Sequence, residues 1–296
     1  MSISADVCFR ISKWLLLRRD SLTKRHAGSG PQVFNHEAYR QWREQELRGQ
    51  FTEYFSTEDV AGKDVVDFGC GEGALCLLVA NFGVKSITGI EVAEDRYEAA
   101  AARSSDRSLP VHPRFLLASG TEAIDLPSSS VDVLLCFDVL EHVMKYRSVV
   151  REWHRVLRTE GRVFIWWVPW WHPYGPHIES LVPIPWCHVL FSEKTLLDTC
   201  ARIYDLPEFK PRIWDIDSEG QKKPNKWLTM QALPEVNKLT MRQFERLCRD
   251  VGFLVRSKQQ RGFGSSIPAR MTHMFLRVPA LGEYFTSSVV YVLGKA

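Results

Sequence analysis

Three glycines punctuate the segment Val65-Val66-Asp67-Phe68-Gly69-Cys70-Gly71-Glu72-Gly73, directly after a short apolar run. Glycines at a strand-to-helix turn let the main chain approach a ligand closely. Gly69-x-Gly71-x-x-Ala74 fits the dinucleotide fingerprint, and Glu91 stands 22 positions after Gly69, where an acidic residue would hold a ribose. Asp67 argues against a pyrophosphate there, because a carboxylate two residues before the first glycine repels phosphate and attracts an ammonium. No Lys-Ser or Lys-Thr follows the loop, which excludes a P-loop. A ligand that joins a cationic amino-acid head to an adenosine would suit both carboxylates, and S-adenosylmethionine has that constitution. Asp67 would face its ammonium and Glu91 its ribose hydroxyls.

A second set of reactive side chains lies in His172-Pro173-Tyr174-Gly175-Pro176-His177-Ile178-Glu179, with His188 farther on. The prolines and the lack of i, i+4 histidine pairs argue for a loop, so no metal site is expected. Proton transfer is the other use of histidine. The candidate bases are His177, His172 and His142, with Asp138 and His188 behind them. Five of the ten tryptophans fall in Trp166–Trp186. Trp166 and Trp167 read as the buried end of a strand. Trp170, Trp171, Tyr174 and Trp186 would either wall a planar or apolar acceptor or cement their own segment.

The elements that must position these groups alternate along the chain. Apolar runs predict strands at Lys63–Phe68, Ser86–Glu91, Arg114–Ala118, Val131–Phe137 and Arg162–Val168. Helical spacing predicts helices over Asn35–Phe55, Leu75–Phe82, Glu94–Arg103 and Tyr146–Leu157. Such alternation implies a parallel α/β sheet with helices on both faces. From Pro169 to about Lys238 the periodicity fails, and it resumes with a helix at Met241–Asp250 and strands at Phe253–Ser257 and Ser288–Leu293. The expected organisation is a helical arm and cap over 1–55, a ligand-binding core over 56–168, an inserted lid over 169–238 and a completion of the sheet over 239–296. A shorter insertion falls near Gln260–Phe285.

With these motifs in order, the sequence resembles the class I S-adenosylmethionine-dependent methyltransferases, in particular the broad group with an Asp-x-Gly-x-Gly first motif. Val65–Gly73 resembles that motif, and Gly89-Ile90-Glu91-Val92 resembles the acidic strand end that follows it. Ser130–Val143, ending Phe137-Asp138-Val139-Leu140-Glu141-His142-Val143, is similar to the fourth-strand motif, and Arg155–Val163 to the helix-turn-strand after it. The resemblance implies a Rossmann-like seven-stranded sheet, mostly parallel with an antiparallel last strand, plus the long insertion after the fifth strand. It implies S-adenosylmethionine as cofactor, held by Asp67, Phe68, Gly69, Cys70, Gly71, Glu91, Val92 and Asp138. Glu122 falls where the family often contacts the adenine amino group, with Asp125 as its rival. The family shows the Glu141-His142 pair across different substrates, which points to a shared structural role for it.

The 296 residues are 45% hydrophobic and 25% charged, ordinary for a globular chain, and the formal net charge is only +3. Seven dispersed cysteines without a C-x-x-C pair read as reduced thiols in a cytoplasm. Basic residues gather in the last third, but no nucleic-acid-binding module accompanies them, so nucleic acid is not the expected partner. Residues 1–25 hold six basic residues against two acidic ones, interleaved with apolar side chains that are too few in a row to span a bilayer. That pattern suits a helix packed on its own domain, or peripheral membrane contact. The expected activity is methyl transfer to an oxygen or nitrogen of a small or lipid-like acceptor. The alternatives are a cofactor-binding scaffold that does not methylate, and an RNA methyltransferase. Trp170–Phe191 and the arm before Phe55 are expected to close over the acceptor.

Overall fold

The structure is a computed structural model that describes residues 3–22, 36–104, 108–120, 122–217, 219–233, 236–264, 267–278 and 281–296. The basic residues Lys24 and Arg25 and the expected Gly28–Pro31 break lie outside the described residues. Contacts divide the chain into two compact units, one of Met1–Trp42 with Trp170–Val236 and the other of Arg43–Pro169 with Asn237–Ala296.

The larger unit is built on seven strands: β1 (Asp64–Phe68), β2 (Ser86–Glu91), β3 (Arg114–Leu117), β4 (Val131–Phe137), β5 (Leu157–Trp167), β6 (Phe253–Arg261) and β7 (Ser288–Lys295). Their order is β3-β2-β1-β4-β5-β7-β6. The first five are parallel, and β7 runs antiparallel to both of its neighbours. Chain order reverses between β1 and β4, which makes the gap beyond their carboxyl ends the switch point where such sheets take ligands. β5 begins earlier than the expected Arg162, and β6 runs past the expected Ser257 to Arg261, with a register shift between Val255 and Ser257.

Alternate residues of the strands feed two cores. Val66, Leu134, Cys136, Ile165 and Tyr291 point to the face covered by Trp153, Phe244 and Leu247. Val65, Leu135, Phe137 and Phe164 point to the other face. This two-sided burial explains why the central strands read as continuous apolar runs. The first face is covered by helices that also supply Val149, Val150 and Val156. Those helices are numbered in chain order: α1 (Ile3–Leu22), α2 (His36–Tyr54), α3 (Ala74–Ala80), α4 (Glu94–Arg103), α5 (Tyr146–Val156), α6 (Cys187–Leu190), α7 (Glu193–Tyr204), α8 (Met241–Val251) and α9 (Ile267–Thr272). α8 starts at a capping box between Thr240 and Gln243 and stops at Gly252, whose φ of 99° is left-handed. On the second face the rings of Phe51, in α2, and Phe55, just after it, meet Phe137, and Phe55 stacks on Phe164 at 4.5 Å.

The smaller unit has its own core, in which Cys8, Val182, Leu196, Cys200, Tyr204 and Trp227 are buried together. Arg202 of α7 pairs with Asp6 of α1 at 2.7 Å, and its guanidinium lies 3.9 Å from the centre of the Phe9 ring. The seven cysteines are all buried and unbonded.

Candidate active site

Asp67, Glu91 and Asp138 sit at or just past the carboxyl ends of β1, β2 and β4, on one edge of one sheet. The glycine loop between β1 and α3 is folded by left-handed backbone at Gly69, Gly71 and Gly73, with φ of 76°, 55° and 79°. Its first N–H groups, those of Gly69 and Cys70, both donate to the Ile90 carbonyl, at 2.8 and 3.0 Å. A Cβ on Gly69 would lie 2.6 Å from Val139, so that glycine serves packing. A Cβ on Gly71 would meet no atom within 4 Å, so the open side of the loop is there.

Glu91 holds this loop. Its Oε2 accepts from the Gly71 N–H at 2.8 Å, and its Oε1 accepts from Val92 at 2.8 Å and Ala93 at 2.9 Å. A carboxylate has roughly four acceptor positions, so about one stays available to a hydroxyl. Asp67 is buried under the loop and accepts from the Cys76 thiol at 3.3 Å. Burial pushes its carboxyl up to about 7, and the nearby Glu91 charge adds to the rise. A carboxylate destabilised in this way is suited to a cationic ligand that restores its charge.

Asp138 adopts a left-handed φ of 55°, and its N–H donates to the Trp166 carbonyl at 3.1 Å. Its carboxylate accepts from Arg43 at 2.6 Å and from Gln50 Nε2 at 3.4 Å. Arg43, Glu46 and Gln50 follow at i, i+3 and i+7 along α2, hence on one face. Burial works against the Arg43 charge, but Asp138 and then Glu46 overcome it and raise its pKa. Glu141 is buried beside this group, and burial followed by the Asp138 charge raises its carboxyl well above the usual range. Gln50 Oε1 and Glu141 Oε2 are buried without a hydrogen-bond partner among the described residues. The turn that carries Glu141 is stitched by Asn237, whose Nδ2 donates to the carbonyls of Leu140 at 2.6 Å and Val143 at 2.9 Å.

The remaining expected cofactor residues are placed as follows. The Phe68 ring belongs to the core, edge-on to Trp153 at 5.5 Å, so only its main chain reaches the edge. Cys70 is buried, its thiol against the space over Gly89, and Val92 is exposed just past β2. Glu122 pairs with Lys145. Asp67 with its raised carboxyl, the open side of Gly71 and the orphaned Gln50 oxygen together fit a cationic, donor-bearing cofactor.

Of the candidate bases, His142 is exposed on the turn after β4 in the larger unit. His172 and His177 lie in the smaller unit. His172 Nδ1 accepts from the Tyr174 N–H at 2.9 Å, which leaves the proton on Nε2. Burial, and then the charges of His177 and His188, push its pKa down to about 3, so near neutral pH the ring is an uncharged donor. His177 is exposed, with a left-handed φ of 56°, and Trp186 has one of 54°. Tight winding sets both: Trp186 donates to the Pro173 carbonyl at 2.6 Å, and a Cβ on Gly175 would lie 1.8 Å from the Trp170 oxygen. The His188 ring is edge-on to Trp170 at 5.0 Å.

Residues 66–165 match the model of the methyltransferase domain. A ubiquinone biosynthesis O-methyltransferase of Pseudomonas aeruginosa is 36% identical over 106 residues, which cover 36% of this chain and 44% of that protein. The enzyme of the same name from Cupriavidus pinatubonensis is 33% identical over 106 residues, covering 36% of this chain and 41% of its own. The chain thus spans less than half the length of these relatives. The solved PH0226 protein of Pyrococcus horikoshii superposes with a TM-score of 0.51 at 16% identity, over 89% of this chain and 93% of that one, a likeness of fold.

Proposed function

We infer that this chain, whose larger unit is a class I S-adenosylmethionine-dependent methyltransferase domain, transfers a methyl group to an oxygen of a small or lipid-like acceptor. One observation carries the reading above the others: a buried carboxyl raised to about 7 lies under a glycine loop whose open side meets no protein atom. The choice of oxygen rests on the name of the matched relatives.

When bound, S-adenosylmethionine supplies a methyl already activated by its sulfonium, so the chain mainly binds, orients and excludes water. Asp67 would hold the ammonium, the free acceptor position of Glu91 a ribose hydroxyl, and Gly69, Cys70 and Gly71 would let the main chain close in. Glu122 or Asp125 would take the adenine amino group, and Val92 and the Phe68 main chain complete the set. Asp138, fixed by Arg43 and Gln50, would orient the methionine end.

A base is required only where the acceptor hydroxyl must lose its proton in the reaction. His177 is the first choice, because the Nδ1 lone pair of His172 is already occupied. His172 would instead donate, and His142 stands as the base from the larger unit. The reading places the enzyme in the cytoplasm, where seven buried thiols stay reduced, and gives residues 1–25 a peripheral membrane contact.

Titration calorimetry with S-adenosylmethionine, its demethylated product and NAD tests the cofactor. Affinity of about micromolar, on the order of −8 kcal/mol, is expected for the first two. Binding of NAD alone would overturn the reading. His177→Ala should keep that affinity and lose turnover on an acceptor hydroxyl, together with the histidine limb of the pH–rate profile.

A further inference from the structure

Large apolar side chains left in water by a folded chain are informative where they line up. α1 has two such faces. Ala5, Cys8 and Ser12 are buried in the core of the smaller unit. Val7, Ile11, Trp14 and Leu17 are 45%, 41%, 52% and 52% exposed. Their spacing places them on one flank of the helix, away from the buried one. Arg10 and Arg18 are exposed among them, and Arg18 lies 4.4 Å over the Trp14 ring. The acid of this helix whose side chain is described, Asp6, is bound to Arg202.

The larger unit repeats the arrangement. Between β6 and β7, α9 and the turn His273–Arg277 carry Met271 and Met274, 66% and 69% exposed, and Val278 and Leu281 are exposed after them. Arg270 and Arg277 are exposed in the same stretch, which contains no acidic residue before Glu283. This segment is anchored rather than loose: Phe275 stacks on Phe285 at 4.9 Å, and the His273 ring is 3.1 Å from the Phe263 carbonyl oxygen.

We propose that each of these two segments, on its own unit, binds the surface of an anionic bilayer, with its apolar stripe at the acyl boundary and its arginines at the phosphates. Charge complementarity selects this occupant. A stripe of Val, Ile, Trp, Leu or Met interrupted only by arginine offers an acidic protein no acid-matched polar rim beyond two cations. It would also set its own arginines against each other in a two-fold pairing with a second copy. An anionic headgroup layer answers both parts at once, because arginine stems lie along acyl chains while their guanidinium groups reach phosphate. Among the described residues no helix is long and apolar enough to cross a membrane, so the contact is interfacial. The proposal deepens the peripheral contact read for residues 1–25 and rests on that reading, not on methyl transfer.

The full chain is sedimented with vesicles of phosphatidylcholine and with vesicles of phosphatidylcholine plus phosphatidylglycerol. Binding is expected only to the second, and should weaken as salt rises. Arg10→Glu with Arg18→Glu should weaken it at least roughly tenfold. Ile11→Ser with Trp14→Ser, and separately Met271→Ser with Met274→Ser, should each weaken it with circular dichroism unchanged, since the side chains are exposed. Binding to neither vesicle, equal binding to both, or variants that bind like wild type would overturn the proposal. So would a concentration-dependent dimer that Trp14→Ser dissolves. Calorimetry with S-adenosylmethionine on the same preparations separates the two readings: wild-type protein that binds the cofactor but neither vesicle overturns only the membrane surface, and protein that binds anionic vesicles but no cofactor overturns only the methyl-transfer reading.

Discussion

Asp64 and Asp67 occupy opposite ends of one five-residue strand and meet opposite electrostatics. At the amino edge Asp64 accepts from Lys85 at 2.9 Å, Ser86 at 2.8 Å and Arg158 at 3.0 Å. These partners, Lys85 foremost, hold its carboxyl down to about 2. Asp132 at the same edge is partly desolvated, yet Arg158 at 2.5 Å lowers it as well. At the carboxyl edge burial raises Asp67 to about 7 and lifts Glu141 well above the usual carboxylate range, with Arg43 as the shared cation. Equal side chains on equal strands thus divide by edge. One end of the sheet has settled its charges, and the other keeps a deficit that a ligand can fill.

That division breaks most sharply at Gly71. Gly71→Val should lower S-adenosylmethionine affinity by at least roughly 100-fold, about 3 kcal/mol, because its side chain fills the open side of the loop. The left-handed backbone costs that variant about 1–2 kcal/mol of stability as well. Wild-type affinity in a folded Gly71→Val protein, measured by calorimetry, removes the loop from the site. Glu91→Ala comes next. It should cost about 1–3 kcal/mol of cofactor binding and also lower the melting temperature, since three backbone N–H groups lose their acceptor. A variant that changes only one of the two readouts shows which duty Glu91 performs.

Asp67 sharpens the comparison through pH. Its folded pKa lies above the unfolded value, so the stability it contributes is complete below about pH 4 and is lost as pH rises through about 7. Cofactor binding runs the other way, weakening as pH falls below about 7, because a protonated Asp67 cannot hold an ammonium. Asp67→Asn should flatten both profiles, stabilise the ligand-free protein at pH 8 and weaken the cofactor at that pH. Melting and binding curves that keep their wild-type pH slopes would refute the assignment.

The smallest effect belongs to the amino edge. Arg158→Ala should cost about 1 kcal/mol of stability or less, as exposed pairs do, and leave cofactor affinity alone. Asp64 and Asp132 have depressed pKa values, so their contribution is present above about pH 4 and is lost as pH falls below it, through about 2 for Asp64. Acid titration of the variant should show a shallower loss there. A changed cofactor affinity would mean that the two edges are coupled.

Much of the carboxyl edge was legible because it uses short-range signals. Glycines after an apolar strand, with acids at the strand ends, name both a turn and a ligand type. What Glu91 does with most of its acceptors was not legible, since the directions of the N–H groups at 71, 92 and 93 depend on backbone angles. Nothing local to Arg43 in the sequence points to its role. Glu46 and Gln50 share its helical face, yet Asp138, the partner of Arg43 and Gln50, lies 95 residues from Arg43, beyond any local rule. Asn237 hid in a stretch without periodicity. β6 was read too short because Lys258-Gln259-Gln260-Arg261 is polar, as suits a strand at the rim of a sheet. The lengths of apolar strands buried on both sides were the easier part.

The place of β7 has a consequence for synthesis. It follows β6 in the chain but lies between β5 and β6 in the sheet. A ribosome that has released residues through Arg261 therefore presents β5 with an open rim and β6 with no neighbour at all. Unpaired rows of this kind recruit strands from other chains. Delivery of Ser288–Lys295 closes the β5 row and the facing row of β6 in one event, and a stop codon placed before it would leave those two rows open in addition to the two outer rims of the finished sheet.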